Sequence, residues 1–307
     1  MIDLLFDKVA EVRNPSVLGL DTRLEYLPQK LLDKFDPSEP FQSAAMLLFE
    51  FNTNLIDAVE GIIGCVKLQS AYYEMYGFPG ICMMAALIRY AKKRGMIVIL
   101  DGKRNDIGTT ADAYASAYLG ETQFPDGVAR RAFEADFLTV TPYLGADGIA
   151  PFVKRCAENK KGIFILDKTS NPSSGQLQDK EVEGRPVYDY MASLIAEWGS
   201  DVVGKYGYSS VGAVVGATYP EQGAALRSAY PTIPFLLPGY GAQGAKGADL
   251  ALCFDKRGFG AVVNASRSLL CAHRDSYKIY YEATRTAAEE MREDLLKALA
   301  DAKRLEY

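Results

Sequence analysis

The sequence is poor in the residues that carry triad and metal chemistry. Among 307 residues there is one histidine, His273. A Ser-His-Asp triad would have to be built around that single side chain, and a multi-histidine metal site is excluded. His273 follows a β-like run near the C-terminal end, a position that fits a surface or structural role. The five cysteines, Cys65, Cys82, Cys156, Cys253 and Cys271, are scattered and form no CxxC pair. Cys65, Cys253 and Cys271 lie in apolar surroundings and read as core packing. That usage points to a reducing compartment and away from zinc or iron–sulfur ligation.

Other features are missing too. No apolar run approaches the roughly 20 residues that span a bilayer. The start of the chain lacks a basic segment followed by an apolar one, the mark of a secretory signal. Both absences lead to the expectation of a cytoplasmic protein with no membrane partner. Basic excess is absent as well: 34 Lys and Arg stand against 39 Asp and Glu, for a net charge of −5. Nothing resembles a nucleic-acid footprint, so any positive charge that binds phosphate must be local to a pocket. The short basic runs 92–94 and 160–161 follow helix-like stretches and read as solvated faces or helix C-termini.

Apolar residues make up 49% and charged residues 24% of the chain, as in ordinary globular proteins. Short apolar β-rich runs recur at 16–21, 64–69, 96–103, 137–143, 162–170, 209–218, 234–241 and 260–267. Each is followed by a helix-compatible stretch, such as 41–61, 78–94 and 111–119, and the last helix is expected over about 275–303. Runs such as 96–100 and 211–215 lack polar alternation, as strands buried on both faces do. Eight βα units in a chain of this length predict a closed (β/α)8 (TIM-type) barrel, with a doubly wound open sheet as the alternative. No linker or low-complexity segment interrupts the pattern, so one domain over 1–307 is expected. Long insertions follow strand 1 (22–43) and strand 5 (170–185).

In such barrels the chemistry sits at the C-terminal strand ends. Polar residues gather there: Asp21, Lys67, Gln69, Asp101, Lys103, Thr169, Ser170 and Arg267. Asp101 and Lys103 are two apart and share a side of strand 3 with Ile97 and Ile99. Lys67 ends the neighbouring strand, and Asp106 lies where the chain turns toward a helix. The spacing suggests an alternating Lys–Asp–Lys–Asp array. Charges beside an apolar layer are costly unless paired. An array of this kind can favour loss of a carboxylate, stabilise the carbanion left behind and protonate it. The other reading is a buried salt-bridge network that only holds strands 2 and 3 together.

Strand 7 runs into a GxGxxG at Gly239, Gly241 and Gly244. A dinucleotide reading is poor, because the following strand ends in Asn264, Ser266 and Arg267 without the acidic residue a ribose needs. A glycine turn offering backbone amides to one phosphate, clamped by Arg267, is the better reading. A plain structural turn with a surface arginine is the alternative.

These residues resemble the orotidine 5′-phosphate decarboxylase family, particularly its longer bacterial branch. The matching pieces are Gly19-Leu20-Asp21, Val66-Lys67, the segment Asp101 to Ile107 with Thr110, Thr169-Ser170-Asn171-Pro172, Pro238 to Gln243, and Arg267. They run from strand 1 to strand 8, so the resemblance covers nearly the whole chain. The resemblance implies conversion of orotidine 5′-monophosphate to UMP and CO2, the last step of UMP synthesis, with no cofactor and no metal. By position it implies Lys103 as proton donor to C6, Asp101 beside the substrate carboxylate, and Lys67 and Asp21 at ribose hydroxyls. It also implies a homodimer in which Asp106, Ile107 and Thr110 serve the partner's site. Ser170 would read the pyrimidine edge, Gln69 would neighbour ribose or base, and Pro238, Gln243 and Arg267 would hold the phosphate. Two features depart from the pattern: the bulky Tyr240 inside the glycine turn, and the 176–185 stretch, which is either a lid or a solvated excursion. Two rival functions stay open. One is a magnesium-dependent sugar-phosphate lyase or synthase sharing the DxKxxD element, for which the ends of strands 2 and 4 offer few carboxylates. The other is a nucleotide-binding barrel without catalysis.

Overall fold

Strands that are apolar at every position need partners on both faces, and the fold supplies them. The computed structural model describes residues 1–241 and 244–307. Eight parallel strands, β1 (Ser16–Gly19), β2 (Cys65–Gln69), β3 (Ile97–Arg104), β4 (Phe137–Val140), β5 (Gly162–Lys168), β6 (Val211–Val215), β7 (Phe235–Pro238) and β8 (Ala261–Ala265), form a closed barrel. Closure is direct: Val17 sits opposite Cys65 of β2 on one side and Asn264 of β8 on the other. This rules out the open sheet.

One residue from each strand fills the barrel: Val17, Cys65, Ile99, Phe137, Phe164, Val214, Leu236 and Val262 form a single buried cluster. Their sequence neighbours, such as Leu18, Val66, Leu100, Leu138, Ile163, Val215, Leu237 and Val263, belong to a second cluster beneath the helices. Period-two geometry therefore sends alternate residues to two apolar environments, which is why polar alternation is missing.

The outer ring consists of α2 (Pro40–Ala58), α3 (Gly77–Lys93), α4 (Gly108–Leu119), α5 (Ala146–Asn159), α6 (Val187–Trp198), α7 (Pro220–Ala229) and α8 (Tyr280–Asp301). Ahead of β1 lies α1 (Ile2–Val12), which the strand–helix alternation does not mark. Its Ile2, Leu5, Phe6 and Val9 join the inner cluster and plug one mouth of the barrel. The other mouth, at the C-terminal strand ends, is left for the site.

Both expected insertions are present. Residues 22–39 hold two short helical turns, Leu24–Tyr26 and Gln29–Leu32. The excursion after β5 ends in a two-stranded hairpin, Glu181–Val182 with Arg185–Pro186. A third excursion, between α4 and β4, was not expected. It holds a hairpin of Thr122–Gln123 with Ala129–Arg130, turning through Gly127 at φ 77° and braced by the Arg130–Asp126 ion pair. Two-residue strands are too short to show a period. Among the described residues, no helix is long and apolar enough to cross a membrane.

Candidate active site

The strand ends enclose a cavity of about 680 Å³. Its wall includes Asp21, Lys67, Asp101, Lys103, Thr139, Ser170, Pro238, Tyr240, Asn264, Ser266 and Arg267, drawn from β1 through β8 and the loops that follow them.

The charge array is built by register. Gln69 pairs with Asp101 across β2 and β3, and Lys67 pairs with Ile99. Lys67 Nζ lies 3.1 Å from Asp101 Oδ2 and 3.1 Å from Asp21 Oδ1. Lys103 Nζ lies 2.6 Å from Asp101 Oδ1. Gln69 Nε2 donates to Asp101 Oδ2 at 2.9 Å, and Thr139 Oγ1 donates to Asp101 Oδ1 at 2.8 Å. Within one chain the alternation runs Asp21–Lys67–Asp101–Lys103. Asp21 joins the array from its own chain, and Asp106 stands outside it within one chain.

Burial alone would push the Asp101 carboxyl up. The Lys67 and Lys103 ammoniums, with hydrogen bonds from Lys103 and Thr139, outweigh it and hold Asp101 below the usual carboxylate range. Burial would likewise lower Lys67, but Asp21 and Asp101 raise it above the usual lysine value. Both groups are therefore charged at neutral pH. Exposure is lowest in the middle of the array: the side chain of Asp21 is 25% exposed, that of Lys67 4%, that of Asp101 12% and that of Lys103 44%. All four line the cavity, and Lys103 is the most accessible of them.

Lys103 also carries backbone strain, with φ at 46° in a region that β-carbon-bearing residues avoid. The β3–β4 ladder breaks between Leu100 and Arg104. The Lys103 N–H instead donates to Thr139 Oγ1 at 2.9 Å. Thr139 thus holds the main chain of one array member and the carboxylate of another. Strained residues of this kind persist only where surrounding structure over-determines them, commonly at functional sites. Thr139 was not singled out from the sequence. Its one signal is being the polar residue of an otherwise apolar strand; Thr141 and Tyr143, read as the end of strand 4, lie beyond it, and Tyr143 is exposed.

The loop after β5 is latched to its strand. Lys168 Nζ meets Asp179 Oδ1 at 2.6 Å, while Thr169 and Gln178 exchange two hydrogen bonds of 2.9 and 2.8 Å. Gln178 and Asn171 therefore join Ser170 in the cavity wall. Of the 176–185 stretch only Gln178 lines the cavity, and residues 180–184, which include the start of the hairpin, are exposed.

At the opposite side, Pro238 ends β7, and Gly239, Gly241 and Gly244 all have positive φ. The Gly241 N–H donates to Ala245 O and the Gly244 N–H to Gly241 O, each at 2.9 Å, so these two amides are committed within the turn. Gln243 lies outside the described residues. Arg267 begins a short helix directly after β8. Asp106, Ile107 and Thr110 stand away from the cavity wall: Asp106 accepts the Ile107 N–H at 2.7 Å, and Ile107 and Thr110 are exposed. His273 packs edge-on to Tyr280 and takes no part in the wall.

Fold and site together define a (β/α)8-barrel enzyme whose charged centre lies at the C-terminal rim. The family model described as "Orotidine 5′-phosphate decarboxylase / HUMPS family" matches residues 43–276. An orotidine 5′-phosphate decarboxylase of Rhodopirellula baltica is 45% identical over 285 residues, covering 91% of this chain and 93% of its own. One from Caldicellulosiruptor bescii is 41% identical over 294 residues, covering 94% and 96%. A crystal structure of a putative orotidine-monophosphate decarboxylase from Toxoplasma gondii superposes with a TM-score of 0.81 at 29% identity, over 99% of this chain and 98% of that one. The chain belongs to the orotidine 5′-phosphate decarboxylase family and is a carboxy-lyase.

Proposed function

We propose that the chain, as one domain over 1–307, converts orotidine 5′-monophosphate to UMP and CO2 in the cytoplasm, using its own side chains without cofactor or metal. The observation that carries this reading is the Asp101–Lys103 contact of 2.6 Å at the accessible end of a buried, alternating array. The substrate carboxylate would lie beside Asp101, which Lys67, Gln69 and Thr139 hold in place. Two like charges in a poorly hydrated site repel, and cleavage of the C6–carboxylate bond relieves the repulsion. The electron pair stays on C6 as CO2 leaves. The Lys103 ammonium stabilises that charge and gives C6 a proton, and the neutral amine regains a proton from water.

The rest of the nucleotide follows the wall. Lys67 and Asp21 would take ribose hydroxyls, with Gln69 ordering Asp101 beside them. Ser170 would read the pyrimidine edge. Pro238, Gln243 and Arg267 would receive the phosphate. A homodimer fits the exposed rim, where Ile107, Tyr143 and Leu144 present apolar surface beside Asp106 and Thr110. Asp106 would complete the partner's array. The test is the ultraviolet spectrum of orotidine 5′-monophosphate mixed with purified protein and EDTA. Conversion to the UMP spectrum is expected; an unchanged spectrum would overturn the proposal, and activity that appears only with added magnesium would favour the sugar-phosphate reading.

A further inference from the structure

The glycine-rich loop after β7 is held from outside the cavity by one carboxylate oxygen. Tyr240 OH donates to Asp294 Oδ2 at 2.8 Å, and the Gly247 N–H donates to the same oxygen at 2.8 Å. Asp294 stands on α8, far along the chain and absent from the cavity wall. Its two donors bracket the loop: Tyr240 lines the cavity, and Gly247 opens the short helix Gly247–Leu250. Between them, a bridge pairs Tyr240 with Ala245, and the Gly241 N–H reaches Ala245 O at 2.9 Å. The approach at Gly247 is close. A β-carbon there would sit 2.8 Å from the Asp294 carbonyl oxygen and 3.1 Å from Ala298 Cβ, so only glycine brings this amide to the carboxylate. Burial, followed by the Asp294 hydrogen bond, raises the Tyr240 phenol above its usual range, which keeps it a donor.

We propose that Asp294 is a positioning residue for the phosphate end of the site. By joining Tyr240 to the start of the 247–250 helix it fixes the described parts of the loop, 239–241 and 244–246, in the shape that receives a phosphate dianion. The inference rests on the phosphate reading given above. It also explains the aromatic residue inside the glycine turn: a smaller residue at 240 could not span from the cavity wall to α8.

The test compares two substrates that differ only at the remote group, orotidine 5′-monophosphate and orotidine. Binding energy from a remote group lowers the barrier only for the substrate that has it. Loss of a hydrogen bond to a charged group corresponds to about a tenfold to hundredfold effect. Asp294→Ala should therefore lower kcat/KM at least about tenfold for the phosphorylated substrate and leave the value for orotidine within about twofold. Asp294→Asn, which keeps a carbonyl acceptor, should recover most of the loss. Tyr240→Phe should cost less than Asp294→Ala, and the double variant should be no worse than Asp294→Ala alone. Equal losses on both substrates would mean that Asp294 only supports the fold, and would overturn the proposal, as would no loss on either. Arg267→Ala separates the two readings. If it shows no preference between substrates, the phosphate assignment itself fails. If it selectively harms the phosphorylated substrate while Asp294→Ala and Asp294→Asn do not, only the Asp294 proposal fails.

Discussion

Replacing Lys103 by alanine separates a catalytic array from a structural one. Lys103 has one carboxylate partner, Asp101 at 2.6 Å, and its side chain is 44% exposed. Ion pairs as accessible as this contribute about 0–1 kcal/mol to stability. After the change Asp101 keeps Lys67, Gln69 and Thr139. Alanine retains a β-carbon, so the cost of φ at 46° is common to both proteins. Stability should thus fall by about 1 kcal/mol or less, or roughly 2–4 °C in Tm for a chain of this size. Activity should respond on another scale. Removing a general acid costs about 10²–10⁴-fold, and removing the charge that faces the developing carbanion costs a further 10²–10³-fold or so. A loss of at least about 10⁴-fold is expected. The assay is the ultraviolet change of orotidine 5′-monophosphate at high enzyme concentration, with circular-dichroism melting on the same sample. Activity within about a hundredfold of the parent, at unchanged Tm, would refute Lys103 as proton donor. A fall in Tm beyond about 8 °C would refute the claim that the array's accessible end is there for chemistry rather than for the fold.

Asp101→Ala should behave in the opposite sense. It strands the buried Lys67 ammonium with Asp21 alone, and breaking a buried pair costs about 3–5 kcal/mol; urea unfolding should show the loss, and an unchanged midpoint would contradict the burial argument. Subunit sharing can be read by mixing Lys103→Ala with Asp106→Ala. After random exchange about a quarter of the sites would be intact if each site draws Lys103 from one subunit and Asp106 from the other, whereas no recovery despite proven exchange counts against a composite site. Asp167 supplies a pH test. Burial, and then Asp189, pushes its carboxyl well above the ordinary range, and neither oxygen has a hydrogen-bond partner among the described residues, the adjacent Lys168 being engaged by Asp179. The folded protein keeps a proton that the unfolded chain releases above about pH 4. This group's contribution is therefore full below about pH 4 and lost as pH rises toward the folded value. Asp167→Asn should gain in Tm over the parent between pH 5 and pH 8; a difference that does not change with pH would refute it.

Much of this is legible in the sequence. Runs such as 96–100 and 211–215, which lack polar alternation, have one economical outcome, strands buried on both faces, because a polar-free strand cannot face water on either side. The two-residue spacing of Asp101 and Lys103 put both on the inner side of β3, and the motifs from Asp21 to Arg267 marked the family. The helix α1 and the small hairpin after α4 were not legible. The first belongs to no βα unit, and the second is shorter than any period.

The array's composition was a matter for tertiary structure. Asp21 and Asp106 are both acidic residues near Lys67 or Lys103 in the strand-end pattern, yet only closure of β1 onto β2 shows that Asp21 stands beside Lys67 within one chain. Thr139 binds Asp101 and the Lys103 amide from a strand that offered no motif, and the left-handed turn at Lys103 appears nowhere in residue preference. Asp294 reaches a loop some fifty residues earlier in the chain through two bonds to one oxygen. The physical reason is common to all three. Burial pattern and side-chain parity are properties of neighbours along the chain, so sequence alone determined the strands and the faces. Contacts between distant segments depend on where closure of the barrel leaves them, and only the folded chain decided which charges meet.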